Sequence, residues 1–162
     1  MAFRLVSSHG DVGDVAAVSM FCSGVVHPGE VVEFSRTGGA GVYPASMDST
    51  VTNIFGVCQD YAQGASGTQV KVIPFSAGQI WEADCIHAAS TAQVGLRFGL
   101  SRTRSDLGIY NHATDSTTAT AVFRAVAMVG STSGSGKLLG FFRRGDNTGA
   151  PSLYGAHSVI DW

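Results

Sequence analysis

Short runs of β-branched and aromatic residues, each bounded by Gly, Pro, Ser, Asn or Asp, recur along the chain and predict strands, with almost no helical periodicity between them. Behind a Pro28-Gly29 turn, alternation places Val32 and Phe34 on one strand face and Val31, Glu33 and Ser35 on the other. Thr37 to Gly41 breaks that strand. Val42-Tyr43-Pro44-Ala45 then returns as a hairpin partner whose proline favours an edge. Ile54 to Cys58 is an apolar run suited to a strand covered on both sides. A further strand, Thr68 to Phe75, follows the Gly64 to Gly67 turn. In Gln79 to Cys85, Trp81, Ala83 and Cys85 share one face, and Glu82 and Asp84 face water on the other. Leu96, Phe98 and Leu100 alternate with Arg97 and Gly99, and Thr120 to Val129 is the longest strand candidate. Leu138 to Phe142 follows the flexible tract Ser131 to Gly136, and Leu153 to Trp162 offers a last strand. Asp11 to Met20 has a spacing usable by a short helix, but Gly13 and the internal valines weaken it, so it reads as strand or arm.

About eight or nine strands without alternating helices point to an all-β fold. The form expected is a single antiparallel β-barrel or β-sandwich, jelly-roll-like, with an extended N-terminal arm. Residues 1–26 form the arm and first strand region, and residues 27–162 form one β domain. Thr120 to Val129 and Leu138 to Phe142 carry apolar residues on both faces, whereas a small barrel has one interior. Large exposed apolar patches are uncommon on monomers, so another chain or the N-terminal arm is expected to cover the second face, with oligomerisation the more economical of the two. Val122, Val126, Met128, Phe141 and Phe142 are the candidate contact residues of such an oligomer.

Composition narrows the function classes. The 162 residues are 44% hydrophobic, enough for a core, but only 14% are charged, against an average of about 25%. A formal charge of −2 supplies no sequence-wide attraction to phosphate backbones, so no direct nucleic-acid binding is expected. The opening residues lack the apolar run of a secretory signal, and no apolar stretch nears the roughly 18 residues of a membrane span. The expectation is a soluble protein made in a cytoplasm. Cys22, Cys58 and Cys85 are far apart and set among apolar neighbours, as small buried hydrophobes are, which argues against disulfides and zinc.

Candidate chemistry is sparse. Ser131 to Leu138 superficially resembles a phosphate loop, but Ser131 stands where the first glycine belongs, Leu138 where the hydroxyl belongs, and a strand-like run follows. His9, His27, His87, His112 and His157 have no partner at metal-ligand spacing, so neither metal nor cofactor is expected. No G-x-S-x-G elbow presents a nucleophile. Glu82 and Asp84 are the remaining carboxylate pair for acid and base duties, although solvated acids on an outward face are the commoner case. Arg97, Arg102 and Arg104, with Arg143 and Arg144, form a basic set suited either to an acidic partner or to solubility. The reading is therefore non-enzymatic.

Four motifs recur in an order that carries a family resemblance: Pro28-Gly29-Glu30-Val31-Val32, Ile54-Phe55-Gly56-Val57, Gly67-Thr68-Gln69-Val70-Lys71-Val72, and Ala77-Gly78-Gln79-Ile80-Trp81-Glu82-Ala83. From Pro28 to about Leu100 the chain resembles the head decoration, or cement, proteins of tailed bacteriophages. That resemblance implies a homotrimer on the outer surface of the virion shell, at three-fold and quasi-three-fold positions. There it would bridge neighbouring major capsid protein subunits against internal DNA pressure, after synthesis in the bacterial host cytoplasm. Several weak contacts from one trimer act at high effective concentration on a repeating shell. The alternating segment Phe3, Arg4, Leu5 and Val6 suits pairing with an exposed sheet edge and is the candidate capsid-binding arm. The alternative is a carbohydrate- or receptor-binding β module of a phage fibre or tail, stacking Trp81, Tyr110 or Tyr154 on sugars.

Overall fold

The computed structural model describes residues 3–8, 17–34, 41–46, 49–50, 52–63, 67–76, 78–85, 89–103, 106–110, 121–130 and 137–142. Thirteen strands lie among them: β1 Phe3–Ser8, β2 Val18–Cys22, β3 Val25–Val26, β4 Val31–Phe34, β5 Val42–Pro44, β6 Ile54–Cys58 and β7 Ala62–Gln63, followed by β8 Thr68–Pro74, β9 Gln79–Ala83, β10 Arg97–Thr103, β11 Asp106–Tyr110, β12 Phe123–Val129 and β13 Lys137–Phe142. A single 3₁₀ turn, Thr91–Gln93, is the only helical element among the described residues. The all-β fold expected from the alternation is the fold observed. The candidate strand Leu153 to Trp162 and the tract Ser131 to Gly136 lie outside the described residues.

Five strands close a barrel in the order β2-β5-β4-β6-β8. Its interior gathers Cys22, Val32, Val42, Cys58, Val70 and Val72, joined by Val26 and Ala62 from the small β3–β7 sheet. The Pro28-Gly29 turn feeds β4: Gly29 takes φ +89°, and the Glu30 amide donates to His27 O at 3.1 Å. A positive φ at the third turn position requires glycine or a residue like it. The buried Glu30 carboxylate accepts the His27 amide at 3.1 Å, satisfying a donor that the turn would otherwise strand. β4 and β5 pair as the expected hairpin. The proline of β5 lies inside a closed barrel instead of on a free edge. It is tolerated because Pro44 pairs with Val32 on one side, while on the other the β2 ladder stops at Val42.

The remaining long strands form a six-stranded sheet, β1-β9-β13-β12-β10-β11. Its inner face supplies Phe3, Trp81, Ala83, Phe98, Phe123, Ala125, Leu138 and Phe142 to a second apolar cluster, to which the barrel strands contribute Val31 and Val57. β4 and β6 are thus covered on both sides, Val32 and Cys58 facing the barrel interior and Val31 and Val57 the sheet. Phe142 is the hub of the second cluster. Its ring stacks on Phe75 at 4.0 Å between centroids and meets Phe3 at 4.9 Å and Phe123 at 5.2 Å edge-on. The sealed Trp81 indole donates to Gln79 Oε1 at 3.3 Å, and the buried Gln79 amide donates to Pro74 O at 3.1 Å.

This second core corrects two expectations. The N-terminal segment is no free arm: Phe3–Ser8 pairs with β9, and Phe3 is 1% exposed. Of residues 1–26, the described strands β1, β2 and β3 pair with β9, β8 and β7 of the remaining chain. Val122 and Phe142, expected at an oligomer contact, are buried in the chain's own core. In each case apolar alternation was real, but the covering partner is a second layer of the same chain.

Candidate docking face

The side of the six-stranded sheet turned away from the barrel is assembled by register. Arg4 on β1 faces Glu82 on β9, Glu82 faces Leu139 on β13, and Leu139 faces Ala127 on β12. One row along, Phe141 pairs with Arg124, which pairs with Arg97. In the opposite direction Val129 pairs with Lys137. Bulges at Val6 in β1 and Val126 in β12 each add one residue that the partner strand does not match. The result is an apolar strip of Val126, Val129, Leu139 and Phe141 between charged flanks. Val126 and Val129 are 43% and 45% exposed, and Leu139 and Phe141 are half-buried.

One flank is an ion-pair ladder across three strands. Arg4 Nη2 lies 3.0 Å from Glu82 Oε2, and Lys137 Nζ lies 3.0 Å from both Glu82 Oε1 and Asp84 Oδ1. Partial burial pushes the Glu82 carboxyl up, but hydrogen bonds and attraction from Lys137 and Arg4 outweigh it, so Glu82 titrates below the usual carboxylate range. Hydrogen bonds that the Lys137 ammonium donates to Asp84 and Glu82 raise it above its ordinary value. A carboxylate held in its charged form by two cations is poorly suited to donate a proton at neutral pH. Glu82 and Asp84 therefore act as a clamp joining β1, β9 and β13.

The structure divides each predicted residue set by strand face. Arg4, Val6, Val126 and Phe141 lie on or beside the outward face, whereas Phe3, Leu5, Val122, Met128 and Phe142 belong to or pack on the core. Leu5 and Met128 are accordingly removed from the candidate contacts. Trp81 is 0% exposed and cannot stack on a sugar. The side chain of Tyr110, and Tyr154 altogether, lie outside the described residues, as do His9, His87, His112, His157, Arg104, Arg143, Arg144 and the side chain of Arg102. His27 packs its ring on Tyr61 at 5.1 Å.

Lys137, Leu139, Val129 and Ile80 complete the face and were not singled out from sequence. Their cross-strand partners are distant in the chain, and only the odd-numbered alternation of β13 hinted that Lys137, Leu139 and Phe141 share a side. Among the described residues no group of three His, Cys, Asp or Glu side chains is placed to hold a metal ion, and no helix is long and apolar enough to cross a membrane. The three cysteines are free. Burial pushes the thiols of Cys58 and Cys85 up to about 11 and also raises Cys22, leaving little thiolate near neutrality. Comparison with protein-family models, curated proteins and solved structures finds no match for the chain.

Proposed function

We propose that this protein is a non-enzymatic decoration protein of a tailed-bacteriophage head, acting on the outer virion surface by binding the major capsid protein as a homotrimer. The observation carrying the reading is the outward sheet face, an apolar strip on β12 and β13 beside a charged β1 margin. Exposed apolar surface rimmed by polar groups is the usual mark of a protein contact. Val126, Val129, Leu139 and Phe141 serve contacts between copies, and the β1 margin with Arg4 and Val6 meets the shell. The sequence resemblance supplies the phage context and the three-fold geometry. Neither direct nucleic-acid contact nor a membrane enters this role.

Electron cryo-microscopy of heads incubated with purified protein tests it. Density over shell three-folds, lost with a Val6→Asp variant that remains folded, is the expected outcome; bare shells at saturating protein would refute the proposal. Light scattering should give three times the chain mass.

The exposed rings of Phe21, Tyr43 and Tyr61 favour a second reading, a carbohydrate- or receptor-binding module of a fibre or tail. Binding on a glycan array that is abolished by Tyr43→Ala would select it.

A further inference from the structure

We infer that the barrel opens locally at the seam between β2 and β5, ahead of global unfolding. Among the described residues this seam is held by one register pair, Cys22 with Val42, whereas β2 pairs with β8 through Val18, Ser19, Met20, Phe21 and Cys22. It is parallel, while every other barrel pairing is antiparallel, and parallel pairing is slightly weaker per residue.

The sequence limits the seam at a definite place. Ser23 donates its amide to Val42 O at 3.0 Å. The next rung of a parallel ladder takes a donor from position 44, and Pro44 has none. Close approach also leaves little side-chain packing across the gap. A Cβ on Gly41 would lie 2.7 Å from Phe21 O, and one on Gly24 would lie 2.9 Å from Pro44 Cδ. Both glycines have positive φ, +148° and +116°. Outside the seam, Phe21 and Tyr43 are exposed, so no layer among the described residues covers it. The β4–β6 seam differs on every count: Val31 and Val57 bury its outer side under the sheet. Regions with few covered contacts and few backbone bonds open at the low end of the local stability range.

Two buried thiols sit on opposite sides of this contrast. Cys22 lies at the weak seam, while Cys58 on β6 donates its amide to Glu30 O at 2.8 Å and pairs with Val72 on β8. Seam opening exposes Cys22 and leaves Cys58 sealed.

Timed alkylation of the unaltered protein with N-ethylmaleimide, resolved by peptide mass mapping, tests the inference. Cys22 is expected to react at least about tenfold faster than Cys58, at a rate that barely rises with urea below the global transition. Cys58 should follow global unfolding. Pro44→Ala restores an amide donor facing β2 and should lower the Cys22 to Cys58 rate ratio. Equal rates with a common urea dependence, or a ratio that Pro44→Ala leaves unchanged or increases, would overturn the inference.

Discussion

Gly140 is a point of very close approach in the six-stranded sheet, and adding one methyl group there tests how closely β12 and β13 approach. It lies on the inner face of β13 between Leu138 and Phe142, opposite Ala125. A Cβ would run into the Arg124 carbonyl oxygen and lie 2.6 Å from Phe123 Cζ and 2.7 Å from Phe123 Cε1. Its backbone is not in the left-handed region, so the cost of Gly140→Ala is steric. Forcing a methyl into a filled core costs about 1–3 kcal/mol. Against this, loss of glycine freedom in the unfolded chain returns about 0.4–1 kcal/mol. The net expectation is a loss of roughly 1–2 kcal/mol, lowering Tm by about 2–8 °C for a domain of this size. Urea unfolding followed by tryptophan fluorescence measures it directly. Phe123→Leu removes part of the obstruction, so the cost of Gly140→Ala should be smaller in that background, a coupling that a double-mutant cycle resolves. A Gly140→Ala protein as stable as the parent, with no coupling to Phe123, would refute the packing argument.

Other expectations follow from the same geometry. Phe3→Ala should cost about 3 kcal/mol or more in urea unfolding, because the ring is buried against Phe123 and Phe142; a neutral effect would return the N-terminal segment to the role of a free arm. The depressed Glu82 carboxyl contributes its stability fully above the unfolded value of about 4.3 and loses it as pH falls through the folded value. Lys137 is raised, so its share is complete below about 10.4 and is lost as pH rises through its folded value. The stability difference between parent and Glu82→Gln should therefore shrink on acidification from about pH 6 to pH 3, measured as urea midpoints. On the proposed trimer, Val126→Glu should give the mass of a single chain in light scattering while leaving far-ultraviolet circular dichroism unchanged, since its side chain is outside the core.

Alternation was enough to read the faces of individual strands. Val32 against Val31, Trp81 and Ala83 against Glu82, and Phe98 and Leu100 against Arg97 all sort as their spacing predicts. Partnership was not readable, because it rests on pairs such as Phe3 with Ala83 and Leu139 with Glu82 that are far apart in the chain. Without partners, the apolar residues on both sides of β12 and β13 call for another chain or the N-terminal arm as cover; in the fold, Phe3 of β1 joins Phe123, Ala125, Leu138 and Phe142 in a second core. The bulge at Val126 also moves the outward row from Arg124 to Ala127, an odd step that strict period-two counting misses. Two-residue strands such as β3 and β7 are too short for any periodic signal. For the candidate face, the Glu82 and Asp84 pair was legible as outward, but its cationic partners come from β1 and β13 and needed the register.

Because β4 and β6 each send one row of side chains into the barrel and the next into the sheet, the two apolar cores share load-carrying walls. Losing either core strips one side of the same two strands, which ties the melting of one to the melting of the other. A scanning calorimeter should record a single heat-absorption peak, and a destabilising change beneath the sheet should shift the barrel's melting by the same amount.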